Sequence, residues 1–99
     1  MILERTVIKC KPGGADQMVE QFKGLGERLG DQDVIKSYRV LTDLTGPFDT
    51  VIIESEIESI DAYFAMLKSM FADEMEEQTN IESAYRSGYR TFYTIEASY

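Results

Sequence analysis

The sequence predicts an α+β fold in which four strands form an antiparallel sheet and two helices cover one of its faces. Four segments have the alternation and β-branched content of strands, whereas two segments repeat apolar residues at helical spacing. These segments follow one another in the order βαββαβ. The chain of 99 residues suits one domain, and we expect that domain to span residues 1–99.

The first strand and the first helix are separated by a turn. Residues 2–10 (ILERTVIKC) alternate and are rich in β-branched residues, and the turn KPGG at 11–14 ends this strand. Residues 15–30 predict a helix because apolar side chains recur there at steps of three and four. Gly26 lies on the apolar face, where a glycine predicts close packing of the helix against the sheet. Gly30 stands where helices commonly end.

The next two strands form a hairpin. Residues 33–44 (DVIKSYRVLTDL) and 48–57 (FDTVIIESEI) both have the composition of strands. The residues TGP at 45–47 allow only a tight connection between them. The two strands are therefore expected to be antiparallel neighbours.

A second helix and a last strand complete the chain. Ser59 is expected to cap the helix, and Asp61 lies in its first turn, where the helix dipole favours an anion. The helix is predicted to end around residues 77–80. Residues 86–96 (RSGYRTFYTIE) are the last predicted strand.

The order of the elements restricts the topology. Two βαβ crossovers must be right-handed, and each must leave a gap for an antiparallel strand. The simple solution is the ferredoxin-like split βαβ sheet, with the strands in the order 2-3-1-4 and both helices on one face.

Apolar residues occur on both faces of the predicted sheet. In the second strand, alternation places Ile35 and Leu41 on the face opposite Tyr38 and Val40. Helices cover only one face, so a lone domain would be expected to be polar on the other. We therefore predict a homodimer in which two sheets face each other around an interior. The alternative is a monomer with a few exposed apolar residues.

The composition excludes several classes of function. The chain has 10 Lys and Arg against 18 Asp and Glu, so binding to nucleic acid or to an anionic membrane is not expected. The lack of histidine removes imidazole metal ligands and His-ligated haem, and we expect neither a metal nor a cofactor. The single cysteine and the charged start of the sequence favour the cytoplasm.

Three stretches of the sequence resemble the NIPSNAP-like members of the dimeric α/β-barrel superfamily. They are residues 38–63 (YRVLTDLTGPFDTVIIESEIESIDAY), residues 8–22 (IKCKPGGADQMVEQF) and residues 89–96 (YRTFYTIE). The resemblance covers nearly the whole chain, and its best part is the TGPFDTV turn with the strand and helix start that follow.

This resemblance implies a ferredoxin-like protomer that pairs face to face into a dimeric α/β barrel. The superfamily includes cofactor-independent monooxygenases, haem-degrading enzymes and small ligand-binding proteins. The NIPSNAP-like branch supplies no catalytic motif, so the catalytic residues stay unknown at this point.

Three arginines inside predicted strands are candidate ligand-binding residues. Arg5, Arg39 and Arg90 would be costly there unless they are paired or solvated. One or two of them could bind a carboxylate or an enolate of a ligand. The alternative, which we favour, is a cross-strand ion pair with a glutamate. The candidate partners are Glu4, Glu54 and Glu96.

Aromatic residues and an acidic stretch are further candidates. Tyr38 and Tyr93 could flank an aromatic ligand or simply pack in the core. Phe48 could close the mouth of a cavity or serve as a packing residue. The acidic stretch at 72–78 could bind Mg²⁺ or Ca²⁺, but a solvated face is the better interpretation.

Two hypotheses of function follow from the sequence. In the first, a small dimeric protein binds an apolar or aromatic molecule between its two sheets. It could then oxidise this molecule without a cofactor, with an arginine stabilising the substrate enolate. In the alternative, the protein is a non-enzymatic binding or interaction module with a packed interior.

Overall fold

The computed structural model describes residues 1–44, 49–71 and 85–99. Its elements are β1 (Ile2–Cys10), α1 (Ala15–Leu29), β2 (Ile35–Thr42), β3 (Thr50–Ile57), α2 (Ile60–Phe71) and β4 (Tyr85–Thr94). The predicted order βαββαβ is confirmed. The turn at 45–47, Phe48, the acidic stretch at 72–78 and the predicted helix end at 77–80 lie outside the described residues.

The four strands form one sheet in the order β2-β3-β1-β4, and each neighbouring pair is antiparallel. β1 lies between β3 and β4, so Arg5 stands opposite Glu54 on one side and opposite Thr91 on the other. This is the ferredoxin-like topology that right-handed crossovers predict.

The helices pack on the face formed by the even-numbered residues of β1 and the odd-numbered residues of β3. Ile8 and Val51 pack there with Met18 of α1. Ile57 packs with Tyr63 of α2 in a second cluster. Each fully buried aliphatic side chain of this kind contributes about 1.5–3 kcal/mol to folding. The core therefore lies between the sheet and the helices.

One expectation about the faces of the sheet is wrong. Strict alternation placed Ile35 on the same face as Leu41, opposite Tyr38 and Val40. The pairing of β2 with β3 shifts register between Ile35 and Ser37. A bulge of this kind turns the following side chains to the other face. Ile35 therefore packs beneath the helices, on the same side as Tyr38.

The start of α2 has the cap that the sequence predicts. The hydroxyl of Ser59 accepts a hydrogen bond from the N–H of Ala62 at 3.3 Å, and Asp61 lies in the first turn. No helix in the described ranges combines the length and the apolar character needed to cross a membrane.

Gly26 brings α1 close to the sheet, as the sequence predicts. A Cβ atom on Gly26 would lie 2.7 Å from Cε1 of Tyr38, which is too close for two carbon atoms. The hydroxyl of Tyr38 donates a hydrogen bond to the carbonyl of Phe22 at 3.0 Å. The ring of Tyr38 therefore lies along α1 in space that only a glycine leaves open.

We expect Gly26→Ala to lower the free energy of unfolding by about 1–3 kcal/mol, because the new methyl group displaces the Tyr38 ring. Gly24→Ala is the matched control, since a Cβ at Gly24 meets nothing within 4 Å. This variant should raise stability by up to about 1 kcal/mol through helix propensity. Urea unfolding measures both, and stabilisation by both substitutions would refute the close packing at Gly26.

Candidate functional site

A cavity of about 500 Å³ lies between the sheet and the helices. Most of its wall is apolar. The apolar lining includes Ile8, Met18, Phe22, Leu25, Ile53 and Leu67. A cavity of this size, largely apolar with a few polar groups, is typical of small-molecule sites. We call it the helix-side cavity.

The polar end of the helix-side cavity is built around Glu4, which is only 1% exposed. Its Oε2 accepts a hydrogen bond from the Ser55 hydroxyl at 2.9 Å, and its Oε1 accepts one from the Thr6 hydroxyl. Nε of Arg90 lies 3.2 Å from Oε1 of Glu4 and donates to Oγ1 of Thr6 at 3.1 Å. A buried carboxylate requires such partners. We call these four residues the Glu4 network.

Strand pairing explains how the Glu4 network assembles. Glu4 stands opposite Ser55 across the β1–β3 pair, and Thr6 stands opposite Arg90 across the β1–β4 pair. Alternation points all four side chains to the face that the helices cover. The network therefore depends on the register of three strands.

Arg90 links the Glu4 network to the surface. Its side chain is 37% exposed, whereas that of Glu4 is 1% exposed. Cζ of Arg90 lies 5.6 Å from the ring centroid of Tyr63 and 5.9 Å from that of Phe64. These distances allow cation–π attraction to both rings. The aromatic residues of α2 thus help to hold the guanidinium beside Glu4.

Two tyrosines in the wall of the cavity stay uncharged at neutral pH. Burial, then Tyr63, then the charge of Glu4 raise the pKa of Tyr38 well above its ordinary value. Burial and the charge of Glu4 raise the pKa of Tyr63 to about 12, although Arg90 lowers it somewhat. Both phenols are therefore hydrogen-bond donors rather than bases in this site.

The opposite face of the sheet, which the helices leave uncovered, carries a separate ion-pair cluster. Nε of Arg5 lies 2.7 Å from Oε2 of Glu54, and Nη2 of Arg39 contacts Oε1 of the same carboxylate. Burial raises the pKa of Glu54, but the two guanidinium groups lower it by more. The cross-strand ion pair, the alternative favoured at these arginines, is thus what the geometry contains. We call this surface the open face.

Aromatic and aliphatic side chains surround this cluster. Cζ of Arg5 lies 5.2 Å from the ring centroid of Tyr93. Leu41, Tyr89 and Tyr93 are 36%, 60% and 43% exposed. A depression of about 500 Å³ lies here, and charged residues contribute much of its lining. Its charged lining residues are Arg5, Lys9, Asp43 and Glu54.

The sheet separates the site residues that the sequence predicts. Tyr38 and Arg90 line the helix-side cavity. Arg5, Arg39 and Tyr93 lie on the open face. Phe48, the sixth, lies outside the described residues. The described residues of this set therefore lie on opposite sides of the sheet and do not form one cluster.

Glu4 and Ser55 are not among the site residues that the sequence predicts, although the pattern of β1 and β3 contains a signal for them. Glu4 falls in the same alternating row of β1 as the buried Ile8, and Ser55 falls in the same row of β3 as Val51 and Ile53. A polar residue in an otherwise buried apolar row indicates a specific partner or a site. Thr6 lies in the same row as Glu4 and carried the same signal, whereas Tyr63 carried none.

Comparison with known proteins identifies the fold. No protein-family model and no curated protein matches the sequence. A NIPSNAP-like domain protein of Burkholderia xenovorans is 20% identical with a TM-score of 0.68, over 98% of this chain and 87% of that chain. SnoaB, a cofactor-independent oxygenase from Streptomyces nogalater, is 10% identical with a TM-score of 0.74, over 98% and 94%.

A third structure, an antibiotic biosynthesis monooxygenase, is 15% identical with a TM-score of 0.71, over 98% of this chain and all of that one. The chain has the fold of NIPSNAP-like proteins and antibiotic biosynthesis monooxygenases. The resemblance found in the sequence is thus confirmed at the level of the fold. At these identities, the comparison does not extend to the chemistry.

We expect the free energy of unfolding to fall as the pH rises from about 10 to 12. Below pH 10 tyrosine is protonated in both states, so Tyr63 adds no pH dependence there. Above it the unfolded chain loses the proton at the ordinary pKa of 10.0, whereas folded Tyr63 keeps it up to about 12. Stability is therefore lost across this interval.

Urea unfolding at a series of pH values measures this loss. Tyr63→Phe should remove part of the slope, because it removes a phenol whose pKa burial raises. An identical slope in wild type and Tyr63→Phe would show that burial of Tyr63 has no effect on its ionisation.

Proposed function

We propose that this protein binds a small apolar or aromatic molecule in the helix-side cavity. The observation that carries the proposal is an apolar cavity of about 500 Å³ with one buried polar end at Glu4. The sequence hypothesis placed the ligand between two sheets. The proposal moves it beneath the helices, because charged residues line much of the depression on the open face.

The walls suggest how such a ligand is oriented. Apolar side chains of α1 and of the sheet would bury its ring system. The Glu4 network would hold one polar group of the ligand at the sheet end of the cavity. The alternative of a packed interior is less well supported, since the described residues leave this space between sheet and helices.

We further propose that the open face forms a homodimer interface. Leu41, Tyr89 and Tyr93 expose apolar surface there, and a second copy of the chain would bury it. The Arg5–Glu54–Arg39 cluster already pairs its buried carboxylate within one chain, which reduces the cost of removing these charges from water. This proposal fits the apolar character that alternation predicts for both faces.

A second candidate function is cofactor-independent oxygenation. The observation that favours it is a buried carboxylate next to an arginine in the cavity wall, in a chain with the fold of SnoaB, a cofactor-independent oxygenase. Glu4 would remove a proton from an activated CH₂ group of the substrate, and Arg90 would stabilise the enolate. The enolate would transfer an electron to O₂, and a C–O bond would form. Loss of water from the hydroperoxide would leave C=O, so CH₂ and O₂ become C=O and H₂O.

We expect Leu67→Trp to weaken binding of 2-naphthol by at least about tenfold, because the indole would fill part of the cavity. Leu44→Trp is the matched control, since Leu44 is 95% exposed and does not line the cavity. Isothermal titration calorimetry measures both affinities, and thermal melting checks that both variants fold. Unchanged affinity in Leu67→Trp would place the ligand elsewhere.

The same pair of variants tests the second candidate function. An oxygen electrode with a panel of quinols and phenols that carry an activated CH₂ group should show uptake in wild type and Leu44→Trp but not in Leu67→Trp. If wild type consumes no oxygen with any compound of the panel, the oxygenase candidate is rejected while the binding proposal stands.

We expect Ile52→Glu to convert a dimer into a monomer. Ile52 belongs to the central strand β3 and lines the depression on the open face, so dimerisation would bury the new charge. Ala65→Glu adds the same charge to an exposed position of α2 and should leave the dimer intact. Sedimentation equilibrium on the order of tens of micromolar measures the association. A monomeric wild type at this concentration would contradict the dimer.

A further inference from the structure

We propose that the helix-side cavity selects an uncharged aromatic hydroxyl compound and rejects an aromatic carboxylate of the same size, and that Glu4 sets this preference. The inference rests on the proposed binding function and adds the chemical class of the ligand. It differs from the sequence hypothesis, in which an arginine binds an anion.

The positive charge of Arg90 is already paired with a carboxylate of the protein. Its Nε lies 3.2 Å from Oε1 of Glu4 and donates to the hydroxyl of Thr6 at 3.1 Å. Glu4 is 1% exposed and cannot turn out into solvent without breaking its bond to Ser55. An anionic ligand would therefore have to share Arg90 with a fixed carboxylate a few ångströms away, and like charges at that distance repel one another.

The two tyrosines of the cavity wall report the local potential, because each would become a phenolate if it ionised. Burial is the largest cause that raises the pKa of Tyr63, and the charge of Glu4 is the next. Arg90 lowers this pKa, but by less than Glu4 raises it. The charge of Glu4 also contributes to the raised pKa of Tyr38. A ligand anion beside these phenols would meet the same net repulsion.

A hydroxyl donor, in contrast, fits the hydrogen-bonding capacity of Glu4. A carboxylate offers about four acceptor positions. Among the described residues, the hydroxyls of Thr6 and Ser55 donate hydrogen bonds to two of them, and Nε of Arg90 lies 3.2 Å from Oε1 while it donates to Thr6. An uncharged ligand hydroxyl that donates to a further position adds no charge to the buried pair. The rest of the ligand would then lie against the apolar lining.

The test compares 2-naphthol with 2-naphthoate at neutral pH, where the first is uncharged and the second is an anion on the same ring system. The chain has no tryptophan, so naphthyl fluorescence can be followed without indole emission. We expect wild type to bind 2-naphthol at least about tenfold more tightly than 2-naphthoate. Equal affinities, or tighter binding of 2-naphthoate, would overturn the inference and leave the proposed function intact. If neither compound binds, the proposed function itself fails.

Glu4→Gln tests the role of the carboxylate. It removes the negative charge at nearly the same size and leaves Arg90 without an acidic partner in the network. We expect the preference for 2-naphthol to shrink by at least about tenfold or to reverse. Glu27→Gln removes the same charge from an exposed position of α1 and should leave the preference unchanged. A preference that persists in Glu4→Gln would overturn the assignment to Glu4.

Arg90→Gln provides an independent variant if Glu4→Gln does not fold, since Arg90 is partly exposed. Arg90→Gln removes the positive charge of the network, so an anionic ligand loses its attractive partner there and the ratio of the 2-naphthol affinity to the 2-naphthoate affinity should rise. A lower or unchanged ratio of the 2-naphthol affinity to the 2-naphthoate affinity would contradict the inference. Circular dichroism and thermal melting establish that each variant compared is folded.

Discussion

The burial of Glu4 is the constraint on which the rest of the structure depends. A carboxylate that is 1% exposed is stable only if hydrogen bonds and a countercharge replace its water. Its partners come from β1, β3 and β4. Glu4 can therefore be buried only if these three strands pair in this register, and a shifted register would leave the buried carboxylate without its partners. This polar group also lies beneath the helices, where an apolar residue would otherwise complete the core. The cavity therefore has a chemically distinct end.

The sheet separates two sets of charged residues with different roles. Beneath the helices, Glu4 and Arg90 face an apolar cavity. On the open face, Glu54 pairs with Arg5 and Arg39 among exposed aromatic side chains. The two acids lie on neighbouring strands, and the register that pairs Glu4 with Ser55 and Arg5 with Glu54 directs one acid to each face. This division favours ligand binding within one protomer and association across the open face.

The fold by itself says little about chemistry. Solved structures that share it with this chain are 10–20% identical and include both an oxygenase and an uncharacterised NIPSNAP-like domain protein. One scaffold can carry many unrelated functions. The Glu4 network and its cavity favour a ligand site, and the local charge balance favours an uncharged ligand.

The sequence by itself determined the elements, their order and the strand order of the sheet, because hydrophobic periodicity and the handedness of crossovers act locally. It also indicated the packing role of Gly26. Only the tertiary structure decided which alternating row lies beneath the helices, because both rows contain apolar residues and alternation is the same for either choice. It also revealed the bulge at Ile35 and the contacts of Ser55 with Glu4 and of Arg90 with Thr6. These contacts join residues 51 and 84 positions apart, and no local pattern encodes such distant pairs.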